Sequence, residues 1–488
     1  MGALECDTRK DVSTDFATLA SGTPSPTSGA APAPDADAEL PYSPFSPLRK
    51  VSIIAIITAI AISSPLALDM YYPSLFDIRD DLGTTQSGIT WTVTAYLMTM
   101  AVGPLVWSNL ADYVGRKPVF MAAMAVYIAG SVWCALSRSL PELVVARVLQ
   151  ACGASVGQGS SAGVVTDIYP RDQRGTALGF YYMGILVGPN IGPLVGGLIS
   201  EHAGWRWVFW ANVIFGGVLF IAVAAMFPET HRRIVAKKHR IQPINIPPKL
   251  GIRDNNPLQD LATVRYPVVA IAMLNSAIMY GTNIVNATMQ PQVYESVYAL
   301  SQGTTGICML SSGAGLVLGA LCGGRIADLL IRRHRKKLLA DAGHGEQAKV
   351  AGVPAETRMR AMWAGGVLFL CGFAAWGWLV EYKVYLAAVL VVQFFIGFGL
   401  IFTFQSVGTY LIDLFPERSA RIFSAQNFWR GVFGAVMVQV LPTMRSNIGL
   451  GWTYMTMFFL ALFALLSNQG IASKGVWLRK KFGPHTAF

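Results

Sequence analysis

The chain has 488 residues, of which 53% are hydrophobic and only 13% are charged. A water-soluble chain of this size would carry about a quarter charged residues, so the composition excludes an ordinary soluble protein. Apolar runs long enough to cross a bilayer as helices, about 18 residues or more, recur along the chain. The sequence therefore predicts an all-α polytopic protein embedded in a lipid bilayer.

The formal net charge of +11 comes from 38 Lys and Arg residues against 27 Asp and Glu residues. With a cytoplasmic N-terminus, 31 of the 38 cations fall on the inner side, five fall outside and two lie within spans. This asymmetry is the positive-inside rule, and it predicts that both termini are cytoplasmic. Topology and anionic lipid account for the basic balance, so no nucleic-acid partner is expected.

The chain divides into polar tails, a polar linker and two groups of apolar spans. Residues 1–50 are rich in Ser, Thr, Pro and Ala, which predicts a disordered cytoplasmic tail. Six spans are predicted within residues 51–227 and six more within residues 265–473, separated by a basic cytoplasmic linker at 228–264. Residues 474–488 form a second basic tail. We therefore expect twelve transmembrane helices in two six-helix bundles.

Two polar motifs occur once in each group of spans. Residues 108–117 read SNLADYVGRK, and residues 324–333 read GRIADLLIRR. A second pair, DIYP at residues 167–170 and DLFP at residues 413–416, follows in the same order. Two copies in the same order indicate a doubled unit, so the two bundles should be pseudo-symmetric.

The polar turn between the second and third spans is predicted to gate the inner mouth. Gly115 permits a tight turn there. Asp112 can pair with Arg116 or Lys117, or it can face a helix N-terminus across the cleft. Asp328 is the matching carboxylate of the second half. The alternative is an ordinary charged loop that orients the chain, and the duplication of the pattern argues against it.

This turn resembles the G-x-L-a-D-x-x-G-R-K motif that joins the second and third spans in the major facilitator superfamily. Ser108 stands in place of the first glycine, and Ile331 stands in place of the later glycine in the second copy. The charges of the motif are kept. The resemblance extends over almost all of residues 50–475. It implies a transporter whose two six-helix bundles surround a central cavity.

The fifth predicted span carries a glycine and proline pattern that the second half lacks. Glycines four residues apart let helices approach closely, and each proline removes a backbone donor and bends its helix. The spacing resembles G-x-x-x-G-P-x-x-G-G, which marks exporting proton antiporters of the superfamily, and every position matches. The residues predicted to form this helix motif are Gly188, Pro189, Gly192, Pro193, Gly196 and Gly197.

Two ionisable residues are predicted to couple transport to protons. Arg147 lies about seven residues into the fourth span, where a cation is costly in lipid and should face an interior cavity. Residues 147–151 resemble the family pattern R-x-x-q-G, whose arginine is linked to proton transfer. Asp69 follows the first span in a segment that resembles the L-D-M-Y-x-P-x-L of drug-efflux members. The alternatives are that Arg147 only bonds neighbouring helices and that Asp69 is a solvated interface residue.

The substrate cavity is predicted from polar residues within the spans. No Asp or Glu lies near the midplane of any predicted span, whereas each half places one arginine inside a span. A desolvated arginine needs an anion or several acceptors, and its planar fork suits a carboxylate. The alternatives are that Phe428 and Trp429 flank an apolar drug and that the arginine of the eleventh span only braces helices. The predicted cavity residues are Arg147, Gln150, Gln405, Gln426, Asn427 and Arg430.

These features predict a proton-coupled antiporter that exports a small organic molecule by alternating access, with an organic acid favoured over a lipophilic or cationic drug. The closest resemblance is to the twelve-span drug:proton antiporters, including fungal exporters of drugs and metabolites. All six histidines lie in predicted loops or tails without metal-like spacing, so no enzyme, metal or cofactor is expected. A scaffold or receptor would need neither the doubled gate nor the fifth-span pattern. We expect a functional monomer in the plasma membrane, with protons and a small-molecule substrate as partners.

Overall fold

The computed structural model describes residues 45–169, 174–232, 234–235, 262–341, 357–414 and 419–482. Within these ranges the chain is helical, with two short 3-10 turns and no β-strand. Most of the predicted N-terminal tail, most of the linker and the last six residues lie outside the described residues.

Apolar side chains dominate the helices, and each helix satisfies its backbone hydrogen bonds internally, as a lipid environment requires. The helices of the first half are α1 (Pro47–Asp69), α2 (Leu75–Asp81), α3 (Gln86–Val114), α4 (Arg116–Leu136), α5 (Leu140–Ala154), α6 (Val156–Ile168), α7 (Arg174–Ala203) and α8 (Trp205–Met226). The helices of the second half are α9 (Pro267–Ser296), α10 (Gln302–Asp341), α11 (Thr357–Glu381), α12 (Leu386–Leu414) and α13 (Ser419–Phe482).

The described helices combine into twelve passes. α1 continues through a 3-10 turn at Tyr72–Ser74 into α2, and α5 continues into α6 after Ser155. α13 holds two passes, because Gly449 adopts φ 76° and ψ 175° and turns the chain. By length and composition alone, eight described segments can span a membrane, and one of them, Ser424–Ser473, contains both passes of α13. The predicted all-α architecture of two six-helix bundles is confirmed.

The two ends of the helix bundle carry different polar contacts. We call the end with Asp112 the motif end; there Lys117 Nζ, at the start of α4, donates to the Ala224 carbonyl of α8 at 2.8 Å. We call the opposite end the distal end; there Asp81, at the end of α2, pairs with Arg206, at the start of α8, at 2.7 Å. Each contact ties helices of the first half together.

The halves meet where α3 packs on α13 and where α7 packs on α10. Three of the hydrogen bonds between described residues of the two halves lie toward the distal end. Gln439 Oε1 accepts from Thr94 Oγ1 at 3.2 Å and from Thr90 Oγ1 at 3.5 Å. Glu201 Oε2 accepts from the Gly303 N–H at 2.7 Å. The described contacts therefore close the distal side of the boundary between the halves.

Several helices extend past the apolar runs that predicted them. α10 continues to Asp341 and α13 continues to Phe482, which lies within the predicted C-terminal tail. The first pass continues past Asp69 through a 3-10 turn to Asp81, so Asp69 does not lie at the end of the helical segment. Backbone hydrogen bonds alone propagate a helix, whereas hydropathy marks only the part that crosses lipid.

Candidate functional site

A cavity of about 210 Å³ lies between the two halves. Its wall is formed by α1, α3, α6 and α7 of the first half and by α9, α10, α12 and α13 of the second. Among the described lining residues, Asp69 is the only acid and Arg430 is the only base. Most other lining residues are apolar, with polar groups contributed by Ser64, Tyr96, Gln158, Tyr280, Asn283, Gln290, Ser312 and Asn427.

One face of α9 supplies a large share of the cavity wall. Tyr280, Asn283, Ile284, Ala287 and Gln290 all line the cavity. Their spacing of three and four residues places them along one side of a helix. This face mixes an aromatic ring and two amides with small apolar groups, which suits a molecule with both polar and apolar parts.

Arg430 reaches this cavity from α13, as the sequence predicted. Its guanidinium carbon lies 4.5 Å from the centroid of the Tyr280 ring and 4.0 Å from that of the Phe404 ring. Nη1 donates to Asn427 Oδ1 at 3.0 Å, whereas the buried Nε has no hydrogen-bond partner among the described residues. The two rings and the amide hold the guanidinium in place while one buried donor stays unsatisfied.

Asp69 lines the same cavity from the end of α1. The residue is 7% exposed, and its carboxylate makes no hydrogen bond or ion pair within the described part of the chain. Gly192 of α7 packs against it, because a Cβ at position 192 would lie 2.8 Å from the Asp69 Cβ. A buried carboxylate without a bound cation is energetically costly unless a proton or a ligand neutralises it.

Arg147 and Gln150, which the sequence placed in the cavity, lie instead behind its wall. Arg147 is fully buried, with its guanidinium carbon 4.3 Å from the centroids of the Tyr71 and Tyr96 rings. Its Nη1 donates to the Ala67 carbonyl at 3.1 Å and to Gln150 Oε1 at 2.8 Å. Tyr96 also lines the cavity, so Arg147 is one side chain away from it. Depth in the span did not reveal this, because the helix face, not the depth, decides where a side chain points.

The three other predicted cavity residues have different placements. Asn427 lines the cavity and holds Arg430. Gln426 does not line it; its Nε2 donates to Ser276 Oγ at 2.7 Å and joins α13 to α9. Adjacent helical residues point about 100° apart, so the two amides cannot share one face. The side chain of Gln405 lies outside the described residues.

The glycines of the fifth-span pattern are contact points of α7. At Gly188 a Cβ would lie 2.6 Å from Pro65, and at Gly196 it would overlap the Met70 carbonyl, so both glycines let α7 approach α1. Gly197 faces the other half, where a Cβ would overlap the Gln302 carbonyl of α10. Pro189 and Pro193 line the cavity. The pattern therefore packs α7 on the helix that carries Asp69 and on the second half.

The charges of the predicted gate make contacts within the first half. Arg116 pairs with Asp112 at 3.0 Å and with Asp167 of α6 at 3.1 Å, and its side chain is 8% exposed. Gly115 has φ 110°, a left-handed conformation that favours glycine. The Glu229 carboxylate accepts the N–H groups of Arg116 at 2.9 Å and Lys117 at 3.2 Å. The side chain of Asp328 lies outside the described residues.

Two residues of the cavity and the gate lie in sequence patterns that could have identified them. Tyr280 belongs to the periodic α9 face described above, and Asp167 begins the repeated DIYP motif. Tyr96, Phe404 and Glu229 stand in no repeated pattern. Only the packing of helices from distant parts of the chain brings them to the cavity or to the gate.

Comparison with known proteins agrees with this architecture. The sequence profile of the Major Facilitator Superfamily matches residues 57–438. The chain is 29% identical to the MFS-type transporter phiD of a fungal species, over 85% of this chain and 67% of that protein. It is 27% identical to citrate exporter 1 of Aspergillus niger, over 85% and 84% of the two chains.

The fold also matches solved structures. A crystal structure of a D-xylose–proton symporter superposes with a TM-score of 0.67 at 13% identity, covering 87% of this chain and 97% of that one. Identity at this level relates the folds alone. The family match and the paired six-helix bundles agree, and the chain belongs to the Major Facilitator Superfamily of membrane transporters.

Proposed function

We propose that this transporter is a proton-coupled antiporter that exports a small organic acid or acid-bearing metabolite. One observation supports this substrate class most directly. Arg430 is the only base among the described lining residues, and its buried Nε has no partner there. A carboxylate satisfies such a guanidinium with charge-assisted hydrogen bonds, which are about twice as strong as neutral ones.

The surroundings of Arg430 support the same proposal. Tyr280 and Phe404 flank the guanidinium and offer apolar contact to the rest of a ligand, and Asn283 and Gln290 provide neutral hydrogen-bonding groups on the same wall. A volume of about 210 Å³ is below the range of about 300–1,000 Å³ that holds drug-sized ligands. A relative named as a citrate exporter is in keeping with an acidic cargo.

In this proposal Asp69 carries the proton. It is buried, it lines the cavity beside the substrate site, and it belongs to the opposite half from Arg430. Binding and release of a proton there changes the charge of the cavity by one unit, so the affinity of the cavity for a charged substrate depends on whether the proton is bound. Arg147 acts indirectly, because it bonds the Ala67 carbonyl two residues before Asp69 and stacks on Tyr71 two residues after it.

Alternating access would follow from rocking of the two bundles about this cavity, which a single chain supplies in full, so a monomer is sufficient. The cation distribution favours a cytoplasmic motif end, with both termini inside and the distal end exposed at the plasma membrane. Epitope tags at each terminus should bind antibody only after permeabilisation of the cell. Antibody binding in intact cells would show that the termini face outside and that the proposed orientation is wrong.

The test of substrate class compares an acid and a cation in proteoliposomes with an imposed pH gradient. Citrate and a lipophilic cation serve as probes for the wild type, Arg430→Ala and Arg430→Lys. Loss of a charge-assisted bond of about 1.5–3 kcal/mol should weaken acid transport by about 10- to 100-fold in Arg430→Ala. Arg445→Gln is the matched control, since Arg445 lies on the same helix, bonds Gln292 at 3.0 Å and does not line the cavity.

Two outcomes would overturn the acid proposal. One is transport of the cation in preference to the acid, with Arg430→Ala leaving it intact, which favours a multidrug antiporter. The other is an equal loss of acid transport in Arg445→Gln, because the effect of Arg430→Ala would then not indicate direct binding of the acid by Arg430. Folding of each variant is checked by its thermal unfolding temperature in detergent.

Coupling is tested separately with Asp69→Asn. We expect substrate exchange to continue while the stimulation by a pH gradient disappears, because the amide cannot take up a proton. Asp77→Asn is the control, since Asp77 is an exposed carboxylate on the same pass. Unchanged pH-gradient stimulation in Asp69→Asn would remove Asp69 from this role.

A further inference from the structure

The distal contact between α7 and α10 is built at backbone level. A Cβ at Gly197 would overlap the Gln302 carbonyl, and a Cβ at Gly306 would overlap the Pro193 carbonyl. The two helices belong to different halves, so this contact must separate whenever the distal side opens. Such close packing provides van der Waals attraction but no charge.

A charged contact lies one helical turn beyond Gly197. Glu201, near the end of α7, directs its carboxylate across the boundary, and Oε2 accepts the backbone N–H of Gly303 at 2.7 Å. Gly303 lies in the first turn of α10, whose N–H groups have no partner within the helix. The Ser301 side chain accepts the Thr304 N–H at 3.4 Å and its carbonyl accepts the Thr305 N–H at 2.8 Å, but neither reaches the Gly303 N–H. Glu201 therefore caps a helix of the opposite half.

Position 303 is adapted to this contact. A Cβ there would overlap Glu201 Oε2, so only glycine admits the carboxylate in its observed place. A negative charge at a helix N-terminus is favourable because the helix dipole adds to the hydrogen bond. Two other hydrogen bonds between the halves, from Thr90 and Thr94 to Gln439, join neutral groups. Among these three hydrogen bonds, only that of Glu201 involves a formal charge, although Glu295 of α9 also interacts electrostatically with Asp77 and Arg79 of α2.

We infer that Glu201 is a gating residue that sets the balance between the closed and open distal side by capping α10. The contact forms when the distal side closes, and it breaks when the bundles rock, releasing the carboxylate and the Gly303 N–H to water. Because both groups are then hydrated, the contact biases the equilibrium without locking it. This inference rests on the proposed alternating access, but it depends on neither the substrate nor the proton site.

The test measures conformation, so it is independent of transport. A cysteine is placed in the cavity wall by Ser312→Cys, and its labelling by a membrane-impermeant maleimide is followed from outside intact cells. The same chain with Ser312 unchanged gives the background from the native cysteines. Glu201 is exposed, so its charged cap is worth about 0.3–1 kcal/mol, and Glu201→Ala should raise the labelling rate by about two- to fivefold. Glu201→Gln, which keeps an acceptor without the charge, should give a smaller increase.

Matched variants separate gating from a general loss of surface charge. Glu142 also accepts a backbone N–H at the distal end, that of Arg138 at 2.9 Å, but both residues belong to the first half. Glu142→Ala should leave labelling unchanged. Gly303→Ala, which displaces the flexible end of the Glu201 side chain, should raise labelling by no more than Glu201→Ala does, and the double variant should rise no further because the same contact is affected in each case.

Three results would overturn the inference. They are unchanged labelling in both Glu201→Ala and Gly303→Ala, an equal increase in Glu142→Ala, and full additivity of the Glu201 and Gly303 effects. Unfolding temperatures in detergent identify any variant that does not fold. If Glu201→Ala or Gly303→Ala fails to fold, the labelling of the other variant tests the inference. Failure of acid or proton transport in the assays above would leave these labelling results valid.

Discussion

Arg147 and Arg430 both lie within transmembrane passes, yet Arg147 is fully buried and Arg430 is only partly buried. Arg147 is enclosed by Tyr71 and Tyr96 and bonds Ala67 and Gln150, all in the first half. Arg430 is also held by two rings and an amide, but it lines the cavity between the halves. One arginine has become part of the protein core, whereas the other lines the cavity, where we propose that the substrate binds.

The comparison shows that the cost of a charge in the membrane is met in more than one way. Arg147 receives two acceptors at Nη1 and aromatic faces from its own bundle, while its buried Nε and Nη2 have no hydrogen-bond partner among the described residues. It is enclosed within the first half, so its removal should damage folding. Arg430 has one amide acceptor and an open side, so its removal should damage ligand binding. The predictions below test this division, beginning with the largest expected effect.

The largest effect should be the loss of stability in Arg147→Ala. The substitution leaves a void between two aromatic rings and removes the bonds to Ala67 and Gln150, which should lower the free energy of unfolding by about 2–5 kcal/mol. Arg430→Ala should change it by less than about 1 kcal/mol, because its side chain faces an existing cavity. Thermal unfolding of both variants in detergent provides the measurement. Equal shifts in the two variants would contradict the comparison.

An intermediate effect should come from the rings that flank each arginine. Tyr280→Leu should raise the KM for the acid by about two- to fivefold, because a cation–π contact of about 0.5–1 kcal/mol no longer holds Arg430. Tyr71→Leu should instead lower the unfolding temperature, with its KM close to that of the wild type. The two readouts are transport kinetics in proteoliposomes and thermal unfolding. A raised KM in Tyr71→Leu together with a lowered unfolding temperature in Tyr280→Leu would reverse the roles assigned to the two rings.

The smallest effect should occur at a third arginine, Arg116, which has true ion pairs. Its partner Asp167 is 14% exposed, whereas Asp112 is 43% exposed. Asp167→Asn should therefore slow transport more than Asp112→Asn, whose exposed contact one helical turn away is worth about 0.3–0.5 kcal/mol. Turnover per molecule of protein in vesicles is the measurement, with expression level as the control. Normal turnover in both variants would remove the proposed gate.

The second copy of the motif provides a further comparison for the gate. Asp328→Asn should have a smaller effect than Asp112→Asn, because Ile331 stands where the first copy has Gly115. The same turnover assay measures it. A larger loss in Asp328→Asn would show that the second copy is the more important gate.

Composition and repeats were enough to predict the fold. Apolar runs gave the passes, and the doubled motifs gave the two bundles, because both signals are local in the sequence. The cavity was predicted only in part. Arg430 and Asn427 line the cavity between the halves, whereas Arg147, Gln150 and Gln426 do not, and the role of each in substrate binding stays a prediction. In a membrane helix both the lipid face and the packed face are apolar, so hydropathy does not reveal which face meets the cavity.

The contacts made by Glu201 and Glu229 were beyond sequence reasoning for a different reason. Each carboxylate caps the N-terminus of a helix that lies far away in the chain, at Gly303 and at Arg116. A cap from within the same turn leaves a recognisable sequence spacing, whereas a cap from a distant helix leaves none. Only the assembled bundle reveals these contacts.

The close packing of α7 on α1 also has a consequence for how such a protein diversifies. Because Gly192 and Gly196 bring α7 against Asp69 and Met70, the carboxylate and its supporting helix form one unit within the first half. Arg430, Tyr280 and Phe404 all belong to the second half. Under the proposed function, mutations that alter cargo can therefore accumulate in one half of the gene while the proton site in the other half stays unchanged. The two halves can then diverge separately as long as the cavity and the distal contacts between them are kept.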